Sequence, residues 1–261
     1  MRSSRFSLLK NTPKMLSRTI TSLQHPFVKY CVKLRTSKSF RLQEKKAVIF
    51  GSKLIAELSR FTKLKILLET DLHSTNASAE ETYIITDDII KKISGMPSPE
   101  PVAAIIDIPS EQDLSNLDFI VILDRIADPG NLGTLLRCSM ALGWGGVFLL
   151  DGCCDPFNDK ALRAAKGATF KMPIQSGDIS ILKKMLCKKN HQVYVADIAG
   201  SDFRKINFEG PIALVLGNES HGPTDLIKSV SKAISIPMHL DMESLNVATA
   251  GAILLQHIRS L

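Results

Sequence analysis

Ile236-Pro237-Met238-His239-Leu240-Asp241-Met242-Glu243-Ser244-Leu245-Asn246-Val247 runs directly into an apolar stretch, Ala248 to Ile258, that reads as a buried helix. A polar loop holding Ser, Asn and Glu therefore abuts a helix start, where Ser and Asn side chains commonly bond to nearby backbone. As an isolated segment this is an ordinary N-cap on Ser244 or Asn246. Two other segments repeat the form. Phe119 to Leu123 is a strand-like run followed by Asp128-Pro129-Gly130-Asn131-Leu132-Gly133-Thr134-Leu135-Leu136-Arg137. Ile212 to Leu216 is another, followed by Gly217-Asn218-Glu219-Ser220-His221-Gly222-Pro223. In each case an apolar run enters a Gly/Asn-rich loop and then a helix start.

In this order and spacing the three segments resemble the motifs of the SpoU (TrmH-like) family of RNA ribose 2′-O-methyltransferases, in the knotted SPOUT superfamily. Asn131 and Arg137 match the first motif, Gly217-Asn218-Glu219 the second, and Ile236 to Met238 with Ser244 to Val247 the third. The resemblance covers Leu117 to Leu261. It departs at Leu240, where the family usually has Gly. What it implies is an α/β fold: a mostly parallel C-terminal sheet with a C-terminal trefoil knot, preceded by a small α/β RNA-binding domain. It further implies S-adenosylmethionine as cofactor, RNA as partner (ribosomal before transfer RNA), and a homodimer. Arg137, Asn131, Glu219, Ser244 and Asn246 are then the catalytic candidates, and Gly217, Ile236 and Leu245 the cofactor contacts. A non-catalytic RNA-binding or ribosome-assembly factor is the alternative, and Leu240 lends it weight.

The residues carry their own chemistry. Asn131 is read as part of the loop and Arg137 as part of the helix, six positions on. Such positions do not share a helix face, so both aim at one pocket only if the loop folds back. An Arg among Leu135, Leu136, Cys138, Met140 and Leu142 is costly unless paired. It either forms an ion pair, with Glu219 as the candidate partner, or grips RNA phosphate bidentately. Its pKa lies above about 12, which makes it a poor base. Glu219 would orient Arg137 or a loop amide, and Asn131 would tie the motif loops together.

With 261 residues and 44% hydrophobic content at mean hydropathy +0.08, the chain has material for one large or two modest packed domains. No apolar run reaches the length of a membrane helix. The five cysteines lack paired metal-ligand spacing and read as reduced, mostly buried thiols; neither they nor the scattered histidines suggest a metal site. A G-x-G-x-x-G dinucleotide fingerprint is also missing.

Charge is distributed unevenly. Residues 1–65 hold 16 Lys/Arg against Glu44 and Glu57, whereas residues 66–261 hold 17 against 24 Asp/Glu. A basic N-terminal third fits a polyanionic partner. Residues 1–20, with five basic residues and no acid, read as a leader or a disordered arm. A bacterial-type cytoplasmic location is expected, or a mitochondrial or plastid one if that segment is a transit peptide. Residues 21–108 read as the small domain, opening with one basic helix from Thr21 to Phe40. Residues 109–116 form a linker, and residues 117–261 the methyltransferase domain. Lys171 to Ile174 is expected as a short strand. Lys160, Arg163 and Lys166 mark one helix face, which is solvated surface or, less simply, an RNA contact.

Overall fold

A computed structural model describes residues 18–71, 75–239, 242 and 244–260. Two sheets organise the chain. In the first, β1 (Arg18–Ile20), β2 (Lys46–Phe50), β3 (Leu64–Glu69), β4 (Ala79–Ile85) and β5 (Val102–Asp107) stand in the order β1-β4-β3-β5-β2. The β1, β4 and β3 strands are parallel, and β5 is antiparallel to both β3 and β2. Because strand side chains alternate, β5 sends Ala103 and Ile105 to one face and Val102, Ala104 and Ile106 to the other. Helices α1 (Pro26–Thr36) and α4 (Asp87–Ser94) cover the first face with Val28, Cys31, Leu34, Ile89, Ile90 and Ile93. Helix α3 (Ser52–Leu58) covers the second with Ile55 and Leu58.

Two expectations about this region are corrected. The single helix from Thr21 to Phe40 is two helices. Ser37 adopts an extended backbone, caps Phe40 N with its hydroxyl and starts α2 (Lys38–Glu44). A Ser offering its side chain to a backbone N–H competes with helix continuation. Arg18–Ile20, assigned to the leader or arm, instead pairs with β4 at Tyr83–Ile85. Ile20 is buried against α1 and α4, so the apolar residue at the end of the basic segment belongs to the core. The rest of the leader, residues 1–17, lies outside the described residues.

The second sheet is wholly parallel. Its strands are β6 (Phe119–Asp124), β7 (Gly146–Leu150), β8 (Ile174–Gly177), β9 (Gln192–Asp202), β10 (Ile212–Gly217) and β11 (Lys232–Ser235), in the order β11-β9-β10-β6-β7-β8. Helices α5 (Pro129–Ala141), α6 (Asp159–Ala165), α7 (Ala168–Lys171) and α10 (Val247–Arg259) lie over the face presenting Val121, Leu123, Leu214 and Leu216. Helix α8 (Ile179–Lys189) and α9 (Asp225–Lys228) lie over Ile120, Ile122, Ala213 and Val215, joined by Leu114 from the linker. The strand expected at Lys171 to Ile174 is corrected: Ala168–Lys171 is a helical turn. Pro173 has no N–H to donate to a ladder, and β8 begins at Ile174.

The two units share a core. Leu162 of α6 is buried in the cluster made by β2, β3, β5 and α3, with Phe157 and Phe170 packed against it. Arg41 of α2, only 3% exposed, donates through Nε and Nη2 to Asp155 and through Nη1 to the Leu34 and Arg35 carbonyls. Lys171 pairs with Glu57 across the same boundary.

Candidate active site

The chain builds β6, β7 and β8 outward on one side, then places β10 between β9 and β6 on the other. The order therefore reverses between β6 and β10, whose last residues, Asp124 and Gly217, are register partners. In open parallel sheets ligands bind at the carboxyl ends of strands at such a switch point. The first two motif loops leave the sheet here. The third leaves β11, on the far side of β9, and returns as α10, which packs on α5.

A continuous hydrogen-bonded chain joins the three loops. Asn246 caps α10, its Oδ1 accepting from Ala248 N at 2.9 Å and Thr249 N at 3.2 Å. Its Nδ2 donates to Asn131 Oδ1 at 3.0 Å. Asn131 Nδ2 in turn donates to Glu219 Oε1 at 3.1 Å. Glu219 also accepts from Ala127 N and Asp128 N, each at 3.2 Å. Both ends of the chain are chemically obligatory, since backbone N–H only donates and an ionised carboxylate only accepts. That fixes the orientation of both Asn amides. Burial pushes the Glu219 carboxyl upward, but the Asn131 amide and the backbone N–H groups of Ala127 and Asp128 outweigh it and hold the group below the ordinary carboxylate range.

Asn131 is the third residue of α5 rather than a loop residue, a correction to the expectation. Asp128 supplies the N-cap, Oδ1 accepting from Asn131 N at 2.8 Å, and Pro129 occupies the first turn, where its missing N–H costs nothing. The acid Glu219, bonded to the chain entering this helix, also complements the positive end of its dipole.

A second layer holds the switch point. Asp124, 2% exposed, accepts Thr224 N at 2.7 Å on Oδ2 and faces Arg125 Nε at 3.5 Å. Arg125 adopts φ +58°, and its carbonyl accepts Asn218 Nδ2 at 2.8 Å. The Asn218 Oδ1 accepts Ser220 N and His221 N, at 3.0 and 3.1 Å. Sequence reasoning passed over Asp124 and Asn218 as site residues. The visible signals were an acid closing the apolar run Ile120–Leu123 and an Asn inside the second motif. Gly217 has a specific reason to be Gly: a Cβ there would lie 2.3 Å from Pro223 N and 2.6 Å from Gly222 C. The close approach it permits is that of the chain's own returning loop.

Arg137 is exposed and makes no hydrogen bond or ion pair among the described residues, so the expected pairing with Glu219 is not formed. Ser244 is likewise exposed without a hydrogen-bond partner among them. Ile236 is half-buried against the main core and Leu245 is 37% exposed. The main-chain groups of Ile236 and Leu245 make no hydrogen bond among the described residues, which leaves them available to a ligand. Leu240 lies outside the described residues. All five cysteines are free. Burial pushes the Cys153 thiol up to about 11 and the Cys154 thiol to about 12, so neither is a ready nucleophile. Arg163 is paired with Asp159, whereas Lys160 and Lys166 are exposed.

A parallel sheet whose three strand-end loops meet at a switch point defines an α/β ligand-binding domain. The chain belongs to the SpoU rRNA Methylase family, whose model matches residues 118–256. It is 31% identical over 246 residues to the 23S rRNA (guanosine(2553)-2′-O)-methyltransferase RlmP of Bacillus subtilis, covering 92% of this chain and 98% of that one. It is 26% identical over 289 residues to the human mitochondrial rRNA methyltransferase 3, covering 84% and 68% of the two chains. Its fold is similar to that of an AdoMet-bound rRNA methyltransferase from Sinorhizobium meliloti, with TM-score 0.83 and 28% identity over 94% of this chain and 98% of that one.

Proposed function

We propose that this chain transfers a methyl group from S-adenosylmethionine to a ribose 2′-hydroxyl of ribosomal RNA. The observation that carries the reading is the Asn246–Asn131–Glu219 chain at the switch point of a SpoU-family domain. The main-chain groups of Ile236 and Leu245, which make no hydrogen bond among the described residues, suit the hydrogen-bonding edge of an adenine, and the Gly217 backbone closes the neighbouring strand end. When bound, S-adenosylmethionine supplies the methyl group as an electrophilic carbon on a sulfonium. RlmP and the S. meliloti protein, named as rRNA methyltransferases, favour this reading over a non-catalytic assembly factor.

The five catalytic candidates divide by what their groups have left to offer. Glu219 is ionised and its oxygens already accept three hydrogen bonds, so its part is to hold the loops. The carbonyls of Asn131 and Asn246 are likewise spent on the assembly. These three are positioning residues. Arg137 and Ser244 have no partner among the described residues and are the ones to meet substrate. A guanidinium that stabilises the oxygen as its proton departs, or clamps the adjacent phosphate, acts electrostatically and needs no change in its own protonation.

Residues 21–108 are read as the RNA platform. Of the basic residues before position 66, all but four lie within the described unit. A homodimer fits the outer faces of α5 and α10, where Met140 and Ile253 are 39% and 38% exposed, and the neighbouring loop, where Met242 is 58% exposed. The family's trefoil knot fits a chain that leaves β11 on the far side of β9 and returns as α10 packed on α5. Among the described residues no helix is long and apolar enough to cross a membrane, and no group of His, Cys, Asp or Glu is placed to hold a metal. We read the setting as bacterial-type cytoplasmic, beside a bacterial relative and a mitochondrial one. Organellar import through residues 1–17 is distinguished from it by sequencing the N-terminus of the protein isolated from cells.

The test is to map ribose methylation across total RNA from cells with and without this protein. One ribosomal position losing its methyl group is the expected result. An unchanged ribosomal map, together with no S-adenosylmethionine binding by calorimetry, would refute the reading.

A further inference from the structure

A cleft of about 480 Å³ opens between the two units. Its volume lies within the range of small-ligand sites. On one side stands α2, whose Lys38 and Leu42 are four residues apart and so share a helix stripe, with Lys45 just past its end. On the other, β8 contributes Ile174 and Ser176, which alternate onto one face, and the loop after β7 contributes Asp151 to Phe157. The linker closes the cleft, pinned to β8 by Gln112 N donating to Ile174 O at 3.1 Å.

The lining combines an apolar wall with charges of both signs: Lys38 and Lys45 from α2 and its end, Glu111 from the linker, and Asp151 and the Arg41-bound Asp155 from the loop after β7. Leu42 is 59% exposed, and half-buried Phe157 and Phe170 form an edge-to-face pair with centroids 5.7 Å apart. Beside this apolar wall, Lys38 and Lys45 are exposed and make no ion pair among the described residues. The α2 side of the cleft, with exposed Leu42 between Lys38 and Lys45, matches a base and its phosphate. The cleft is also held rigidly and tied to the motif loops. Asp155 in its wall is gripped by buried Arg41, and Cys154 N, in the same wall, donates to Ile126 O at 2.9 Å. Ile126 immediately precedes Ala127, whose N–H bonds Glu219.

We propose that this cleft receives one unstacked nucleotide of the RNA substrate, its base against Leu42, Phe157 and Phe170 and its phosphate at Lys38 and Lys45. The proposal rests on the reading of the chain as an RNA-acting enzyme and adds a second point of RNA recognition, outside the methyl-transfer site. Its position between the basic unit and the first motif loop lets one nucleotide set the distance between RNA held by the platform and the ribose that is methylated.

The experiment measures RNA affinity of the full chain by filter binding over a salt series, with S-adenosylmethionine affinity by calorimetry and methyl transfer followed in parallel. Ser110→Trp fills the mouth from an exposed linker position. It should weaken RNA binding by about tenfold, roughly 1.4 kcal/mol, with the salt slope unchanged. Lys38→Gln with Lys45→Gln should weaken binding and flatten the slope of log affinity on log salt by about two phosphate contacts. Cofactor affinity should stay at the wild-type level in both. RNA affinity left intact by Ser110→Trp would overturn the cleft proposal whatever the turnover. Loss of methyl transfer in the wild-type chain would instead count against the enzyme reading, and RNA affinity would still decide the cleft.

Discussion

Asn131 and Asn246 are 115 residues apart in the chain, and Asn246 Nδ2 donates to Asn131 Oδ1 at 3.0 Å. Each stands in the first turn or cap of its helix, so this bond joins the starts of α5 and α10. Through Asn131 it continues to Glu219 and hence to the loop after β10. The relationship makes the Asn131 amide the central member of the site, with neighbours of opposite demand on its two atoms.

Replacing Asn131 by Ala leaves an Asn246 donor and a Glu219 acceptor position unanswered, which should cost about 1–3 kcal/mol. Asn131→Asp should be worse for the site, because it sets a second carboxylate against Glu219. Chemical denaturation and single-turnover methyl transfer would read both. Equal turnover in wild type and Asn131→Asp would show that the chain of bonds does not set catalytic geometry.

Among the described residues Arg137 has no partner whose loss would destabilise the fold. Arg137→Ala should therefore leave the thermal midpoint and S-adenosylmethionine affinity close to wild type while lowering methyl transfer by about 100-fold or more. Arg137→Lys should recover only part, since a point charge lacks the planar fork. Turnover within a few-fold of wild type in Arg137→Ala would remove this residue from the reaction.

Gly217→Val should unfold the domain rather than silence the cofactor site alone. The first added carbon already meets Pro223 N at 2.3 Å, and backbone cannot move aside as a side chain can. Gly217→Ala should itself be destabilised by about 3 kcal/mol or more. A wild-type thermal midpoint for Gly217→Ala would mean that the loop relaxes.

Glu219 is held ionised by its donors, with its carboxyl below the ordinary range despite burial. A depressed folded-state value contributes stability that is present above the unfolded carboxylate range and is lost as pH falls through the folded value. The gap in thermal midpoint between wild type and Glu219→Gln should therefore narrow on acidification. A gap that stays constant from neutrality to about pH 3 would assign the effect to shape rather than charge.

A chain beginning at Leu117 keeps all three motifs but exposes Leu162, Phe157 and Phe170 and leaves Asp155 without Arg41. It should be markedly less stable and prone to associate through that face. Full solubility and an unchanged cooperative transition would show that the shared core is dispensable.

Much of this architecture could be read from the residues alone. The strand Leu64–Glu69 and the helix Ile179–Lys189 fall where apolar spacing places them, and the three motif loops do leave strand ends. The misreadings occur where a short-range competitor outweighs periodicity: the Ser37 hydroxyl capping a new helix, and Pro173 delaying a strand.

Apolar periodicity reports which side chains avoid water, because burial is a property of each residue in its own element. It is silent on which element each one meets. The pairing of β10 with β6, the Arg41–Asp155 bond and the passage of Asn246 to Asn131 to Glu219 all join residues about 90 or more positions apart. Such pairings depend on closing long loops and satisfying every polar group at the closure. The residue types of the site were therefore set by sequence, while the tertiary structure decided that Asn131 and Glu219 serve each other and that Arg137 has no partner among the described residues.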